Sequence, residues 1–387
     1  MNDFDHGASL SLEELRRRFP VSERVNYLNH AATGPISRGV QEAIRRQTEI
    51  HTTQHETATE RYEPVFRECR ESVARLVGTS AAHVAFVQNT SHGISLLANG
   101  QDWRAGDNVI VPEMEFPSNY LAWLNLADRG VELRRLKVVQ GRATAEELSR
   151  AIDDRTRVVA LSHVQYFNGF RADLSAIAEV AHARNALLVV DGTQSVGAVP
   201  IDVEAMGIDA LVVSAHKWML GPLGIGFMAL SGEMLARTRV TQLGWLSVND
   251  PFAFNREIDL PDDATRFEPG TENAAGIFGL AQRIREIEAY TIEGIERRIL
   301  RLNDRFADLA RRHGFEVRSP MEAGARSGIL SFHHPAIADP ETVAYLRDRG
   351  IHIGFREGAL RVSPHYYNSE DEIDELAAAL VEKSGIR

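Results

Sequence analysis

Lys217 follows a short apolar run in the string Ser214-Ala215-His216-Lys217-Trp218-Met219-Leu220. Twenty-six positions before it Asp191 closes another apolar run, with Gln194 three residues further on. Burial among neighbours such as Trp218, Met219 and Leu220 disfavours an ammonium ion, so this amine is held nearer to neutrality. A neutral lysine is a nucleophile toward an aldehyde. A buried carboxylate such as Asp191 stabilises a protonated ring nitrogen and raises its pKa by about one to three units in a close pair. The Ser214 hydroxyl and the His216 imidazole suit a phosphate, and the Gln194 amide suits a phenolate oxygen. Aldehyde, ring nitrogen, phenolate and phosphate together are the groups of pyridoxal 5'-phosphate (PLP).

Each residue also has an ordinary reading. A lysine after a strand is commonly a surface residue, and an acid at a strand end is commonly a helix cap. The spacing of the whole group favours the chemical reading. Other features carry no chemistry. Gly224-Ile225-Gly226 lacks the third glycine of a dinucleotide loop, and it suits a chain turning back into a strand. His51 and His55 stand four apart, but HTTQH lacks the glutamate of a zinc hydrolase. No GxSxG elbow is present, and no metal is expected. Cys69, the one cysteine, reads as a small buried hydrophobe.

The elements that position these residues can be read from hydrophobic pattern. HVAFVQ (83–88), DNVIVPE (107–113), TRVVALSHV (156–164), NALLVVDG (185–192) and DALVVSA (209–215) read as buried strands. Amphipathic stretches such as SAIAEVAHARN (175–185) lie between them. Strand–helix alternation predicts an α/β fold, a mostly parallel sheet covered by helices, with ligands at the C-terminal ends of its strands. Residues 244–273 hold three of the 14 prolines and read as a long loop. One long helix is expected over 277–314. An α+β pattern follows, ending in a helix whose Ser369 and Glu372 form a capping box. The expected division is a large PLP-binding domain over 21–262, and a small domain made of 1–20 with 263–387.

The chain has 387 residues, 44% hydrophobic and 25% charged, with a formal net charge of −11. The composition is that of a soluble globular protein, and the acidic balance argues against a nucleic-acid partner. The first 20 residues lack the apolar core of a signal peptide. No run approaches the roughly 18 apolar residues of a membrane span. A cytoplasmic location is the default expectation.

The D-x-x-Q…S-x-H-K pattern at this spacing resembles the class V aminotransferase family of fold-type I PLP enzymes. That family includes cysteine desulfurases, kynureninases and isopenicillin N epimerases. The resemblance runs from YLNHAATGPIS (27–37) to RVSPHYYNSEDEID (361–374). It implies a Schiff base between PLP and Lys217, with Asp191 on the ring nitrogen. It implies a phosphate cup from Gln88-Asn89-Thr90-Ser91-His92-Gly93, where Thr90 and Ser91 add hydroxyls to a helix N-terminus. Phe116, in EFPSN, takes the position that stacks on the PLP face. Thr271, in EPGTEN, takes the position that reaches the neighbouring subunit's phosphate, which implies a homodimer. Arg361 takes the position that clamps the substrate carboxylate, and Asn29, His30 and Ala31 match the segment lining the substrate pocket.

Two departures narrow the reaction. Desulfurases carry a nucleophilic cysteine shortly before the arginine, and GIHIGFREGALR (350–361) has none. Tyr166 stands where desulfurases have asparagine. The implied substrate is an amino acid that forms an external aldimine and then a quinonoid, with freed Lys217 as the Cα base. The leading expectation is β-elimination from an S-substituted cysteine. The alternatives are transamination with a 2-oxo acid, epimerisation of the isopenicillin N epimerase type, and a non-catalytic PLP-binding scaffold. Tyr120, Tyr166, Trp245 and Arg356 are the candidate selectors of the substrate side chain.

Overall fold

The computed structural model describes residues 11–54, 57–254 and 256–385. Residues 1–10, placed by expectation in the small domain, and His55 lie outside the described residues. A two-residue strand, β1 (Asn26–Tyr27), comes first. Seven strands then form the central sheet: β2 (Val84–Val87), β3 (Asn108–Pro112), β4 (Glu132–Leu136), β5 (Thr156–Ser162), β6 (Leu187–Asp191), β7 (Ala210–Ser214) and β8 (Gly226–Leu230). Their order is β2-β8-β7-β6-β5-β3-β4. β8 is antiparallel to both of its neighbours, and the other contacts are parallel.

Apolar runs form this sheet because both of its faces are covered. β2, β3, β6, β7 and β8 are buried along their whole lengths. One face packs with a core that includes Val159, Leu188, Leu211 and Phe227. The other packs with Ile94, Leu97, Trp123 and Val212. All five strands expected from the sequence are present. β4 was not expected, since ELRRL is polar. It is one of the two edge strands, and its Arg134 pairs with Glu132 and Asp153 at the rim.

The helices are α1 (Leu12–Arg17), α2 (Arg38–Thr53), α3 (Ala58–Val77), α4 (Thr90–Gly100), α5 (Ser118–Leu124), α6 (Ala145–Ala151), α7 (Leu174–His182) and α8 (Gly232–Arg237). After them come α9 (Ala274–Tyr290), α10 (Ile292–Arg312), α11 (Pro340–Asp348) and α12 (Glu370–Ser384). The single helix expected over 277–314 is therefore two. Thr291 breaks it with φ 56°, a left-handed conformation that a helix excludes, and its side chain caps α10 through Gly294 N–H. The expected capping box of Ser369 and Glu372 is present on α12.

The C-terminal part builds a second sheet from β9 (Glu316–Val317), β10 (Leu330–His333), β12 (Gly354–Arg356) and β13 (Ala359–Val362), in the order β12-β13-β10-β9. Phe306, Phe332, Leu346, Leu360 and Leu376 are among the apolar residues buried with it. α9 lies along α2 and α3, so its apolar face belongs with the large core. At the other end β1 pairs with β11 (Ile351–His352), and Asn29 bridges to Ser363. The chain between 26 and 29 is thus hydrogen-bonded to the C-terminal part.

Candidate active site

β5, β6 and β7 end together, with Ser162 in register with Asp191. Beyond these ends lies a cavity of about 370 Å³, lined among others by Ala31, Phe116, Tyr166, Asp191, Lys217 and Arg361. Thr90, Ser91, Gln194, Ser214 and His216 line it too. The cavity therefore gathers residues from the N-terminal segment, the central sheet and the small domain.

One end of the cavity suits an anion. α4 begins there, capped by Asn89, whose Oδ1 accepts from His92 N–H at 2.9 Å. Thr90 N–H donates to Ser214 Oγ at 2.8 Å, and Thr90 Oγ1 lies 2.8 Å from Ser214 Oγ and 2.6 Å from Thr193 Oγ1. Ser91 Oγ donates to Ser118 Oγ at 2.8 Å. A Cβ on Gly93 would come within 2.5 Å of Val212 Cγ1, so glycine lets the first turn of α4 lie directly on β7. Hydroxyls around a helix N-terminus attract phosphate oxygens.

Asp191 is buried at the end of β6, and Thr193 N–H donates to its Oδ1 at 2.8 Å. Burial raises its pKa, while the Thr193 hydrogen bonds and the Lys217 charge pull it back. Burial pushes the Lys217 ammonium down to about 8, Asp191 opposes this, and the charges of Arg361 and Arg356 add to it. Lys217 Nζ lies 5.0 Å from the centre of the Phe116 ring and makes no hydrogen bond or ion pair among the described residues.

Phe116 is positioned by its neighbour. Glu115 is buried, and its carboxylate accepts from Phe116 N–H at 2.7 Å and from Ser162 N–H at 2.6 Å. Burial pushes the Glu115 carboxyl up to about 7 against these hydrogen bonds. The Tyr166 ring stands edge-on to Phe116, 5.5 Å between centres. Gln194 donates from Nε2 to Ala31 O at 3.0 Å and accepts at Oε1 from Trp218 Nε1–H at 2.7 Å. One amide hydrogen of Gln194 remains for a ligand.

Arg361 is buried. Its Nη1 donates to Tyr166 O at 2.6 Å, and its Nη2 makes a longer contact with Asn29 Oδ1 at 3.4 Å. Its Nε is buried without a partner among the described residues. Gly354 faces it across the hairpin, where a Cβ would lie 3.3 Å from Nε.

The backbone around Lys217 is held from outside the sheet. His216 O accepts from Gly34 N–H at 2.7 Å. Trp218 O accepts from His365 Nε2–H at 2.9 Å, and Met219 O accepts from Arg283 Nε–H at 2.7 Å.

Some expected residues sit elsewhere. His30 does not line the cavity. It is buried behind it, donating from Nδ1 to Ser363 O at 2.8 Å and accepting at Nε2 from Tyr367 OH at 2.7 Å. Burial pushes it down to about 3, so it is a neutral core histidine. Asn29 reaches the site through Arg361, and Ala31 lines it directly. Thr271 lines an adjacent cavity of about 540 Å³ that shares Asn89. Tyr120 packs under the Arg135 guanidinium and Trp245 is exposed, and neither lines the cavity. His51 is exposed, and no group of three metal-ligating side chains occurs among the described residues. No described helix is long and apolar enough to cross a membrane. Sequence reasoning missed Thr193, Ser118 and the buried role of Glu115. Thr193 stands inside the Asp191–Gln194 pattern, and its position there was the available signal.

The residues present fit PLP. A buried amine without an acceptor is what an aldehyde carbon would complete. The buried carboxylate suits a ring nitrogen, the hydroxyl-rich helix start suits a phosphate, and the unpartnered Arg361 Nε suits a carboxylate. Fold and site together define a PLP-dependent enzyme of the fold-type I class. The chain belongs to the class V aminotransferase family, whose model matches residues 26–376. It is 32% identical to a probable cysteine desulfurase of Methanothermobacter thermautotrophicus, over 97% of this chain and 98% of that one. It is 25% identical to the uncharacterized aminotransferase YcbU of Bacillus subtilis, over 96% of this chain and 99% of that one. A cysteine desulfurase from Thermococcus onnurineus shares the fold with a TM-score of 0.90 at 24% identity, covering 98% and 100% of the two chains. The cystine C–S lyase C-DES, in complex with cysteine persulfide, shares it with a TM-score of 0.88 at 22% identity, covering 95% and 99%.

Proposed function

We propose that this protein is a β-eliminating carbon–sulfur lyase acting on an S-substituted cysteine or a similar amino acid. The observation that carries this reading is the place of its one cysteine. Cys69 lies within α3, fully buried in the large core, and does not line the cavity. Burial pushes its thiol far above the ordinary range, so it is not a thiolate nucleophile. A desulfurase that takes sulfur onto its own cysteine needs a thiol beside the substrate. β12 and β13 are instead joined by the two-residue turn Glu357-Gly358, which holds none. That a cystine C–S lyase is built on this fold is consistent with the reading.

Bound PLP supplies an electron sink for the pair left at Cα when its proton departs. The roles of the chain's own residues follow from their environments. Arg361 orients the α-carboxylate through its Nε edge. Asp191 holds a proton on the ring nitrogen, and Gln194 donates its remaining amide hydrogen to the phenolate oxygen. Lys217 anchors the cofactor and then, as a neutral amine, removes the Cα proton. The Cβ–S bond breaks and sulfur leaves with its electron pair, taking up a proton as a thiol. Water completes the balance: S-substituted cysteine and water give pyruvate, ammonia and the thiol.

The partner is a second copy of this chain. Phe252 and Phe254 are 71% and 79% exposed, and Trp245 stands edge-on to Phe252 at 5.7 Å. Such a cluster on one long loop marks a contact surface, and Thr271 follows in the same loop.

The test is release of ammonia and 2-oxo acid from S-substituted cysteines by the PLP form, with no amino acceptor present. Release over many turnovers is expected. One equivalent, with conversion of the cofactor to pyridoxamine phosphate, would replace this reading with transamination.

A further inference from the structure

We propose that Arg356 binds a second anionic group, one borne on the side chain of the substrate amino acid. The proposal deepens the lyase reading above: the substituent on sulfur would end in a carboxylate or a similar anion.

The charges lining the cavity do not balance. Lys217, Arg356 and Arg361 line it, and Asp191 is the one carboxylate among its described lining residues; Arg356 also lines a second cavity, with Glu357. Lys217 and Asp191 are taken up by the cofactor, and Arg361 by the α-carboxylate. Arg356 is left over. It makes no ion pair among the described residues, and its hydrogen bond is from Nη1 to the carbonyl of its own neighbour, Phe355, at 2.7 Å. Glu357, next in sequence, accepts from Tyr166 OH at 3.3 Å.

The hairpin fixes where Arg356 points. Gly354 is paired with Arg361 and Arg356 with Ala359. Residues opposite one another on antiparallel strands project to the same face, as do residues two apart on one strand. Arg356 and Arg361 therefore share the face that meets the cavity. Glu357 and Gly358 have φ of 48° and 70°, the pair of left-handed residues that closes a tight two-residue hairpin. Arg356 is the last paired residue before this turn, so its backbone is held by the sheet. Gly354 and Ala359 are the small residues of the same face, and a Cβ on Gly354 would lie 3.1 Å from Asn29 Oδ1 and 3.3 Å from Arg361 Nε. The charge of Arg356 lowers the pKa of both Lys217 and Arg361. A second anion between them would relieve that repulsion.

The experiment compares S-carboxymethyl-L-cysteine with S-carbamoylmethyl-L-cysteine, near-isosteric probes that differ in one negative charge. Dissociation constants come from calorimetry on the holoenzyme, and kcat/KM from 2-oxo acid release. The wild type is expected to favour the acid by about ten- to a hundredfold, the span of one charged hydrogen-bonded contact. In Arg356→Gln the ratio falls to near one, and in Arg356→Lys it is intermediate. A purely structural role would lower both probes together and leave the ratio unchanged, which overturns the proposal. A wild-type ratio near one overturns it without any variant. The lyase reading fails separately: if both probes bind and neither releases 2-oxo acid beyond one equivalent, elimination is lost, while the binding ratio still decides the role of Arg356.

Discussion

Trp218 donates its indole N–H to Gln194 Oε1 across 2.7 Å, and this decides which end of that amide faces the cavity. An indole only donates, so it meets the oxygen and leaves the NH₂ group for Ala31 O and the ligand. Trp218→Phe removes this constraint. The buried Oε1 is left without its donor, at a cost of about 1–3 kcal/mol measurable by denaturant unfolding. The absorbance maximum of bound PLP should move and kcat/KM should fall about tenfold. If stability drops while the spectrum and kcat/KM stay unchanged, the contact is packing alone.

Lys217 sets a pH expectation. Burial lowers its pKa to about 8, so the neutral amine predominates above that pH instead of above the ordinary lysine value. Covalent capture of PLP by the apoprotein should accelerate as pH rises, with a midpoint near 8 and a plateau above it. Stopped-flow absorbance measures it, and a midpoint near 10.5 would refute the environment described. Lys217→Ala should leave no cofactor that borohydride can fix, and activity should fall by about a thousandfold or more.

Gly354 gives Arg361 its place. A methyl group there would meet Nε at 3.3 Å, so Gly354→Ala displaces the guanidinium by a few tenths of an ångström. KM for the amino acid should rise about tenfold while kcat changes little. Arg361→Gln should raise KM further, about a hundredfold. Steady-state kinetics would sink the assignment if KM for both variants stays within twofold of the wild type.

Glu115 ties stability to pH. Its folded pKa, about 7, lies above the value of an ordinary glutamate, so the folded chain binds more protons between about pH 4.5 and 7. The stabilising contribution is therefore full at low pH and is lost as pH rises through 7, by at most about 3 kcal/mol. Unfolding midpoints of the apoprotein across this range measure the slope. Glu115→Gln should flatten it, and should also weaken PLP binding, because the Phe116 or the Ser162 N–H then loses its acceptor.

Phe252→Asp with Phe254→Asp should turn a dimer into a monomer in sedimentation velocity. PLP retention should fall with it, since the loop carrying Thr271 would no longer meet a second copy. A wild-type monomer at micromolar concentration would remove the proposed partner.

The sheet was legible in the sequence because its strands are buried on both faces, and continuous apolar runs report that directly. β4 was not, since its polar residues break the apolar run and only Leu136 of its five residues is buried. The break at Thr291 was hidden because helical periodicity continues on both sides of it. That Lys217, Asp191, Gln194 and Ser214 line one cavity was legible because their types and spacing together match the family's pattern. His30 misled: its neighbours Asn29 and Ala31 do reach the site, but its own side chain points into the core between Ser363 and Tyr367. Glu115 and Thr193 were hidden because their work is to hold neighbours in place, and a sequence does not display which backbone N–H a side chain will meet.

The carbonyls of residues 216, 218 and 219 are taken up by Gly34, His365 and Arg283, groups from near the start of the chain and from well beyond Lys217. During synthesis the central sheet emerges long before His365 and Arg361. A nascent chain can thus complete its sheet with Lys217 present and still lack the finished pocket. Stable loading with PLP should wait until Arg361 and His365 have left the ribosome. A chain cut short in its small domain would then be a folded sheet with a lysine that cannot retain its cofactor.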